Sequence, residues 1–167
     1  MIIPSEKLLK ADANVQELVS SYLIAMAAGD VAKVESVSES VSDDTREYIK
    51  NGHSAMGYTN IKVYQYPGTS EDESVAVATF YYTERKSGNV MPGMSAFYII
   101  PGEDGTLKIA SGTTMERNRS KINEVLGIPE VEQLVIDTNK AIEAAQKAAA
   151  AAKTTAEPEE EKSGGAA

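Results

Sequence analysis

The chain lacks cysteine and is short of positive charge. Without cysteine it has no disulfide, zinc ribbon, iron–sulfur cluster or thiol nucleophile. Its 16 Lys and Arg against 25 Asp and Glu leave a net charge of −9, which repels phosphate backbones, so we expect no nucleic-acid partner. It also lacks an apolar run of about 20 residues, so we expect no membrane span within this chain.

The length of 167 residues suits one domain of about 100–150 residues with extended ends. From Thr154 onward the composition offers little to bury, and Pro158 opposes helix propagation. We therefore predict four segments. They are an N-terminal lead over 1–9, an α+β domain over 10–127, an Ala-rich C-terminal helix over 128–153 and a disordered acidic and Gly-containing tail over 154–167.

Helical periodicity dominates the first third of the chain. Apolar residues at i, i+3, i+4, i+7, i+8 and i+11 predict a first helix with one buried stripe: Val15, Leu18, Val19, Tyr22, Leu23 and Met26. Asn14 with Glu17 resembles a capping box at its start, and Gly29 suits its left-handed end. Asp30 then suits the cap of a second helix that runs to Val41.

A short third helix is expected to begin near Asp44 with Glu47 and to close at Asn51-Gly52. After it the pattern changes to alternating and β-branched runs, which predict four strands at Ile61–Tyr66, Val75–Thr83, Met94–Ile100 and Thr106–Ser111. Short turn-rich connections between them predict an antiparallel meander. Helical spacing returns at Lys121, breaks at Pro129 and resumes from Val131.

These patterns resemble the NTF2-like (cystatin-like α+β) superfamily, whose cone-shaped fold is shared with ketosteroid isomerase and scytalone dehydratase. The residues that carry the resemblance are Val15-Gln16-Glu17-Leu18, Tyr22, Ala25 and Ala27-Ala28-Gly29-Asp30-Val31, followed by the meander from Ile61 to Ser111. The resemblance implies an α+β fold with N-terminal helices packed on a curved antiparallel sheet of about four strands, plus a C-terminal helix. It also implies that dimerisation through the sheet is common, and we expect a bacterial member.

The chain departs from the superfamily after its second helix. Members usually place a strand hairpin there, and the isomerases carry their catalytic aspartate on it. Here only Ser42-Asp43-Asp44 separates Val41 from Thr45, so the aspartates are better suited to capping a helix. Tyr22 matches the isomerases' oxyanion-hole tyrosine by resemblance, although its spacing also suits the core. We therefore assign no catalytic residue.

Other polar motifs give no specific chemistry. His53 is the sole histidine, and a general base needs an orienting partner that no recognisable spacing supplies, so an exposed loop histidine is the alternative. Glu71-Asp72-Glu73 lacks the ligand pattern of a calcium loop. We expect no metal site and no cofactor.

The best pocket argument comes from the strand aromatics, which alternate between the two faces of the sheet, so that one set lines the concave side. A basic cluster of Arg117, Arg119 and Lys121 follows the last strand, and Arg85-Lys86 lies at a hairpin end. If these two groups met in space they would form an anion-binding patch; scattered surface charge is the alternative. The candidate ligand-binding residues are Tyr22, His53, Tyr64, Tyr82, Tyr98, Arg117 and Arg119.

We expect a non-catalytic binding or scaffold domain whose partner is an unidentified protein or small molecule. An exported domain is favoured, anchored through a segment that would precede Met1, with a cytoplasmic location as the alternative. The alternative function is a small-molecule-binding protein or an isomerase-like or dehydratase-like enzyme that uses the cone pocket. A third hypothesis is an assembly protein with the helix from Val131 to Ala152 as a coiled-coil arm.

Overall fold

A computed structural model describes residues 8–52 and 55–166, with the backbone alone from 153 onward. Within these ranges the elements are α1 Ala13–Ala28, α2 Val31–Val37, α3 Asp43–Lys50, β1 Ala55–Pro67, β2 Ser74–Glu84, β3 Val90–Pro101, β4 Leu107–Ile109, α4 Gly112–Arg117, α5 Arg119–Leu126 and α6 Pro129–Ala166. The predicted α+β fold is confirmed: N-terminal helices pack on an open, curved, four-stranded antiparallel sheet that a C-terminal helix follows.

The sheet is the predicted meander, with the strand order β1-β2-β3-β4 and antiparallel pairing throughout. β1 begins at Ala55 rather than at the predicted Ile61. Within β1, the register shifts between Thr59 and Lys62, and Asn60 takes a left-handed φ of 52°. Such a bulge bends the strand and increases its twist.

A side-chain clasp joins α1 to this bulge. The Gln16 amide donates from Nε2 to the Ile61 carbonyl at 3.0 Å and accepts at Oε1 from the Val63 amide at 3.2 Å. The segment before α1 continues the attachment, because the Ala11 amide donates to Val63 and the Leu9 carbonyl accepts from the Gln65 amide. These bonds fix the direction in which α1 crosses the sheet.

The sheet face that contacts α1 is here called the inner face. The predicted stripe of α1 packs against it, with Val15, Leu18, Val19 and Leu23 buried among strand side chains. Gly29 ends α1 with a left-handed φ of 74°, as predicted. The predicted start is wrong: the N-cap is Asp12, and Asn14 already lies inside the helix.

The connection between α2 and α3 differs from the prediction. Asp30 caps α2 as expected, accepting from the Lys33 amide at 3.1 Å. However, α2 ends at Val37, and the chain then becomes extended, with Ser38 in a parallel bridge to Ile109. Ser42 rather than Asp44 caps α3, because the cap must be extended and the two aspartates are already in its first turn.

The opposite, outer face of the sheet is covered in part by α5 and α6. Ile122, Val125 and Val131 are buried there in a cluster with strand residues that include Val75 and Tyr98. This docking positions the start of α6, whose packing the sequence does not specify. The predicted fourth strand shortens to Leu107–Ile109, and α4, which the sequence analysis did not predict, follows it.

The bounds of α6 continue through 154–166, the stretch for which the composition predicts a disordered tail. That prediction and the division into four segments stay predictions. Among the described residues, no helix has both the length and the apolar character needed to cross a membrane.

Candidate functional site: a hydroxyl-lined pocket

Aromatic side chains from α1 and three strands meet on the inner face. The ring of Tyr22 contacts Phe97 edge-on, with centroids 5.6 Å apart. Tyr58 contacts Phe80 in the same way at 5.1 Å, and Tyr82 lies 6.3 Å from both of these rings. We call these five residues the inner aromatic cluster, and its edge-on contacts are the favourable geometry for aromatic pairs.

Burial disfavours ionisation of two phenols of this cluster, those of Tyr58 and Tyr22. It raises the pKa of Tyr58 to about 12, and the charges that Tyr48, Tyr22 and Tyr82 carry when ionised add to the rise. Burial likewise raises the pKa of Tyr22. A general base works best when its pKa lies near the operating pH, so these tyrosines are hydrogen-bonding groups rather than bases.

Beside Tyr22 lies a cavity of about 180 Å³, here called the hydroxyl pocket. It is a partly open cleft bordered by α1, α2, the extended connection after α2, the start of α3 and the chain that leaves β4. Its lining residues are Tyr22, Val34, Ser38, Ser40, Val41, Ser42, Thr45, Ile109, Ala110 and Ser111. Six of them carry hydroxyl groups and none carries a charge, so the pocket is polar but neutral.

Most of these hydroxyls are bonded to one another within the walls. The Ser111 hydroxyl lies 2.8 Å from that of Ser40, accepts from the Ser40 amide at 3.1 Å and donates to the Ser40 carbonyl at 3.0 Å. The Ser42 hydroxyl donates to that of Thr45 at 2.9 Å. Behind this wall, the Glu39 carboxylate accepts from the Ser111 amide at 3.0 Å. The walls are therefore fixed by their own hydrogen bonds.

Three hydroxyls of the lining keep hydrogen-bonding capacity, and one of them is that of Thr45, which accepts from Ser42 but whose proton has no acceptor among the described residues. Ser38 is 8% exposed, and its Oγ has no hydrogen-bond partner within the described part of the chain. The Tyr22 hydroxyl, on α1, makes no hydrogen bond to any described residue, and burial is the sole cause of its raised pKa. A buried hydroxyl without a partner costs about 1–3 kcal/mol, and such groups are rare in native proteins. This cost applies to Ser38, whose Oγ is closed off from solvent, so its unmet capacity lies within the wall and not on the surface of the pocket.

Four depressions of the described surface are larger than this pocket, and the two beside β1 and Ser38 are less specific. A surface groove of about 700 Å³ lies beside β1, where the Gln16 amide is already committed to the bulge. A cleft of about 500 Å³ borders the other side of Ser38. Two of its charged groups are engaged, since Asp104 accepts from the Thr106 amide and Lys108 donates to the Ser36 carbonyl.

The predicted tyrosines separate onto two faces. Tyr22 and Tyr82 lie in the inner aromatic cluster, whereas Tyr64 and Tyr98 pack with the outer-face core. The Tyr98 hydroxyl is occupied, because it donates to the Glu73 carboxylate at 2.6 Å and accepts from a backbone amide at 2.9 Å. The structure therefore does not gather the four tyrosines into one site.

The basic residues are also dispersed. Arg119 pairs with Glu116 at 2.9 Å on the surface, and Arg117 is exposed at the end of α4. Arg85 lies at the opposite end of β2 and donates to the Ala27 carbonyl at 3.2 Å. The anion-binding patch considered from the sequence is thus not assembled by these contacts. His53, the seventh candidate, lies outside the described residues.

The sequence analysis missed Ser38, Ser40 and Ser111. It extended the second helix to Val41, which would place the two serines on a solvated helix surface. Serine alternates with valine or glutamate from Ser36 to Ser42, which is the two-residue period of an extended segment. This alternation was the sequence signal that could have identified the extended connection.

The chemistry of the pocket follows from its neutral lining. Hydroxyl groups donate and accept hydrogen bonds, and the aliphatic side chains between them favour hydrocarbon. Within 8–52 and 55–152, no three His, Asp or Glu side chains come close enough to hold a metal ion. Comparison with protein-family models, curated proteins and solved structures finds no match. The geometry of the site itself therefore carries the functional argument.

Proposed function

We propose that the chain is a non-catalytic binding domain of NTF2-like type that takes a small-molecule ligand in the hydroxyl pocket. The observation that carries the proposal is the neutral lining of this pocket, in which six of the ten residues carry hydroxyl groups. Such groups donate and accept hydrogen bonds, so they suit a small uncharged polar ligand. Binding stabilises the folded chain by an amount that grows with the logarithm of the ligand concentration once the site is largely occupied.

Two features favour binding over catalysis. The pocket lining carries no carboxylate, lysine, arginine or histidine that would move a proton at neutral pH. The connection after α2 is a single extended segment bridged at Ser38, where the isomerases of the resemblance carry their catalytic hairpin. An isomerase-like or dehydratase-like reaction would need a base from elsewhere, and this alternative predicts turnover of a bound carbonyl compound or alcohol.

A fragment screen followed by amide chemical shifts tests the proposal. We expect some fragments to shift the amide resonances of Ser38, Val41 and Ile109 together. Their binding should be lost in Ser38→Leu, whose longer side chain fills the pocket. Ser36→Leu, on the solvated surface of α2, is the matched control and leaves binding unchanged. Fragments that bind only elsewhere, or that bind equally to Ser38→Leu, contradict a function in this pocket.

The biological setting rests on the sequence alone. An exported, membrane-anchored domain and a homodimer through the sheet stay predictions. Cell fractionation of the native protein tests the first, and light scattering of the isolated chain tests the second. The coiled-coil hypothesis predicts a smaller particle after removal of residues 131–152, although the burial of Val131 means that this removal also uncovers part of the outer-face core.

A further inference from the structure

Helix α3 ends in the sole Asn-Gly pair of the chain. Asn51 is the C-cap of this helix, with a φ of −82° and a ψ of 0°, and Gly52 follows with a left-handed φ of 106°. Both residues are exposed. The pair is therefore open to water at the point where the helix stops, and the ligand site proposed above does not use it.

An asparagine that precedes glycine is chemically labile. The backbone nitrogen of the second residue can attack the side-chain carbon Cγ of the asparagine, and a side chain on that second residue would hinder the approach, which glycine avoids because it has no Cβ. The nearest described atoms to a Cβ built on Gly52 belong to the Arg85 side chain, at an ordinary contact distance of 3.6 Å. This cationic side chain also favours the negative charge that develops on the attacking nitrogen.

The backbone restrains this attack only weakly. Ring closure requires rotation about ψ of Asn51, which brings the Gly52 nitrogen to the Asn51 side chain. Among the described residues, the bond that resists this rotation runs from the Gly52 amide to the Ile49 carbonyl, and at 3.4 Å it exceeds the usual length of about 2.7–3.2 Å. The Asn51 amide keeps its own 2.9 Å bond to the Glu47 carbonyl, so α3 need not unfold. Opening of this kind costs far less at a helix end than inside a helix.

We infer that Asn51 is a site of spontaneous covalent modification, at which the folded chain converts asparagine to aspartate and isoaspartate. The Gly52 nitrogen loses its proton to solvent and bonds to Cγ of Asn51. The bond from Cγ to Nδ2 breaks, and the side-chain nitrogen takes a proton from solvent and leaves as ammonia. Water then opens the resulting succinimide ring at either carbonyl carbon. The main chain continues through its own carbonyl carbon in the aspartate product and through Cγ in the isoaspartate product.

The modification alters one end of α3. A carboxylate at residue 51 meets the negative end of the helix dipole, and the isoaspartate product lengthens the main chain between α3 and β1 by one carbon atom. Thr45, which lines the hydroxyl pocket, lies near the opposite end of the same helix. The modified position is therefore separate from the proposed ligand site.

Peptide mapping of the full chain after incubation in mildly alkaline buffer tests the inference. Cleavage by trypsin after Lys50 and Lys62 yields one peptide that contains both Asn51 and Asn60; the latter is also exposed but precedes a β-branched residue. The mass gain of deamidation should appear at Asn51 at least about tenfold faster than at Asn60 or at Asn139, which is exposed inside α6. An isoaspartyl methyltransferase should label the same peptide.

The variant Asn51→Gln is the matched control, because it keeps the side-chain amide but would have to close a larger and slower-forming ring. It should remove the methyltransferase label from this peptide. In urea the rate at Asn51 should rise about threefold or more, because unfolding frees ψ, and an unchanged rate overturns the restraint assigned to α3. Equal rates at Asn51 and Asn60 overturn the inference. Aspartate without isoaspartate overturns it as well, because that product indicates direct hydrolysis without a ring.

Discussion

Replacing Ser38 by alanine should stabilise the ligand-free protein. The substitution removes a buried hydroxyl that has no partner among the described residues, and with it a desolvation cost of about 1–3 kcal/mol. It leaves the main-chain contact in place, since the Glu39 amide still donates to the Ile109 carbonyl at 2.8 Å. Part of the gain is offset by lost packing around the removed oxygen, so we expect a net gain of about 1 kcal/mol.

The same substitution at Ser111 should have the opposite sign. Its hydroxyl makes three contacts with Ser40, two of them to the main chain, and alanine removes all of them. At roughly 0.5–1.5 kcal/mol for each hydrogen bond, and less where water can replace it, we expect a loss of about 1–2 kcal/mol. The pair is well matched, because both serines line one pocket and both lose a single oxygen.

Thermal unfolding followed by circular dichroism measures the contrast. For a chain of this size, 1 kcal/mol corresponds to about 2–4 °C in Tm, so Ser38→Ala should unfold at a higher temperature and Ser111→Ala at a lower one. Urea unfolding of both variants checks that the slope with denaturant, and thus the surface exposed on unfolding, is unchanged. Destabilisation by Ser38→Ala of 1 kcal/mol or more would refute the reasoning, because the hydroxyl would then have a stabilising partner.

Three further predictions concern the surroundings of the pocket. Gln16→Leu should lower the free energy of unfolding by about 2 kcal/mol, because Nε2 and Oε1 both bond to the bulged backbone of β1. Gln16→Glu should lose less, because it retains the bond that Oε1 accepts. Urea unfolding measures the stability of both variants. Gly93→Ala should cost about 1–3 kcal/mol and alter near-UV circular dichroism, because the new Cβ would lie 2.6 Å from the Phe80 ring. Gly57→Ala is the control without crowding, because Gly57 also lies in a strand and its added Cβ meets no atom within 4 Å. The raised pKa of Tyr58 means that folding favours the neutral phenol, so its contribution to the free energy of unfolding is complete below pH 10 and is lost as the pH rises towards about 12. Tyr58→Phe should therefore make the free energy of unfolding less dependent on pH in that window. Equal slopes of unfolding free energy against pH for the two proteins would contradict this.

Local patterns predicted what depends on neighbouring residues. The stripe of α1 follows from helical spacing between Val15 and Leu23, and Gly29 ends the helix because the left-handed φ that it adopts favours glycine. The turn residues between strands were equally local, and they predicted the antiparallel order. These features need no information about distant contacts.

The pocket could not be predicted in the same way, because it depends on contacts across the chain. Ser40 and Ser111 bond to each other although 71 positions separate them. Ser38 is buried because its segment leaves α2 and bridges to Ile109, and no local pattern identifies that partner. The same holds for the tyrosines. Alternation along the strands predicts that tyrosines lie on both faces of the sheet, as Tyr82 and Tyr98 do, but it does not predict which face a later helix covers.

The segment that pairs with β1 ahead of α1 has a consequence for solubility. An edge strand displays unpaired backbone groups to which a strand of another molecule can add. Here the Leu9 carbonyl and the Ala11 amide occupy two of these positions, and the Gln16 amide occupies two more at the bulge. The chain thus shields part of its own sheet edge, and a chain shortened past Ala11 should pair more readily with other copies through that edge.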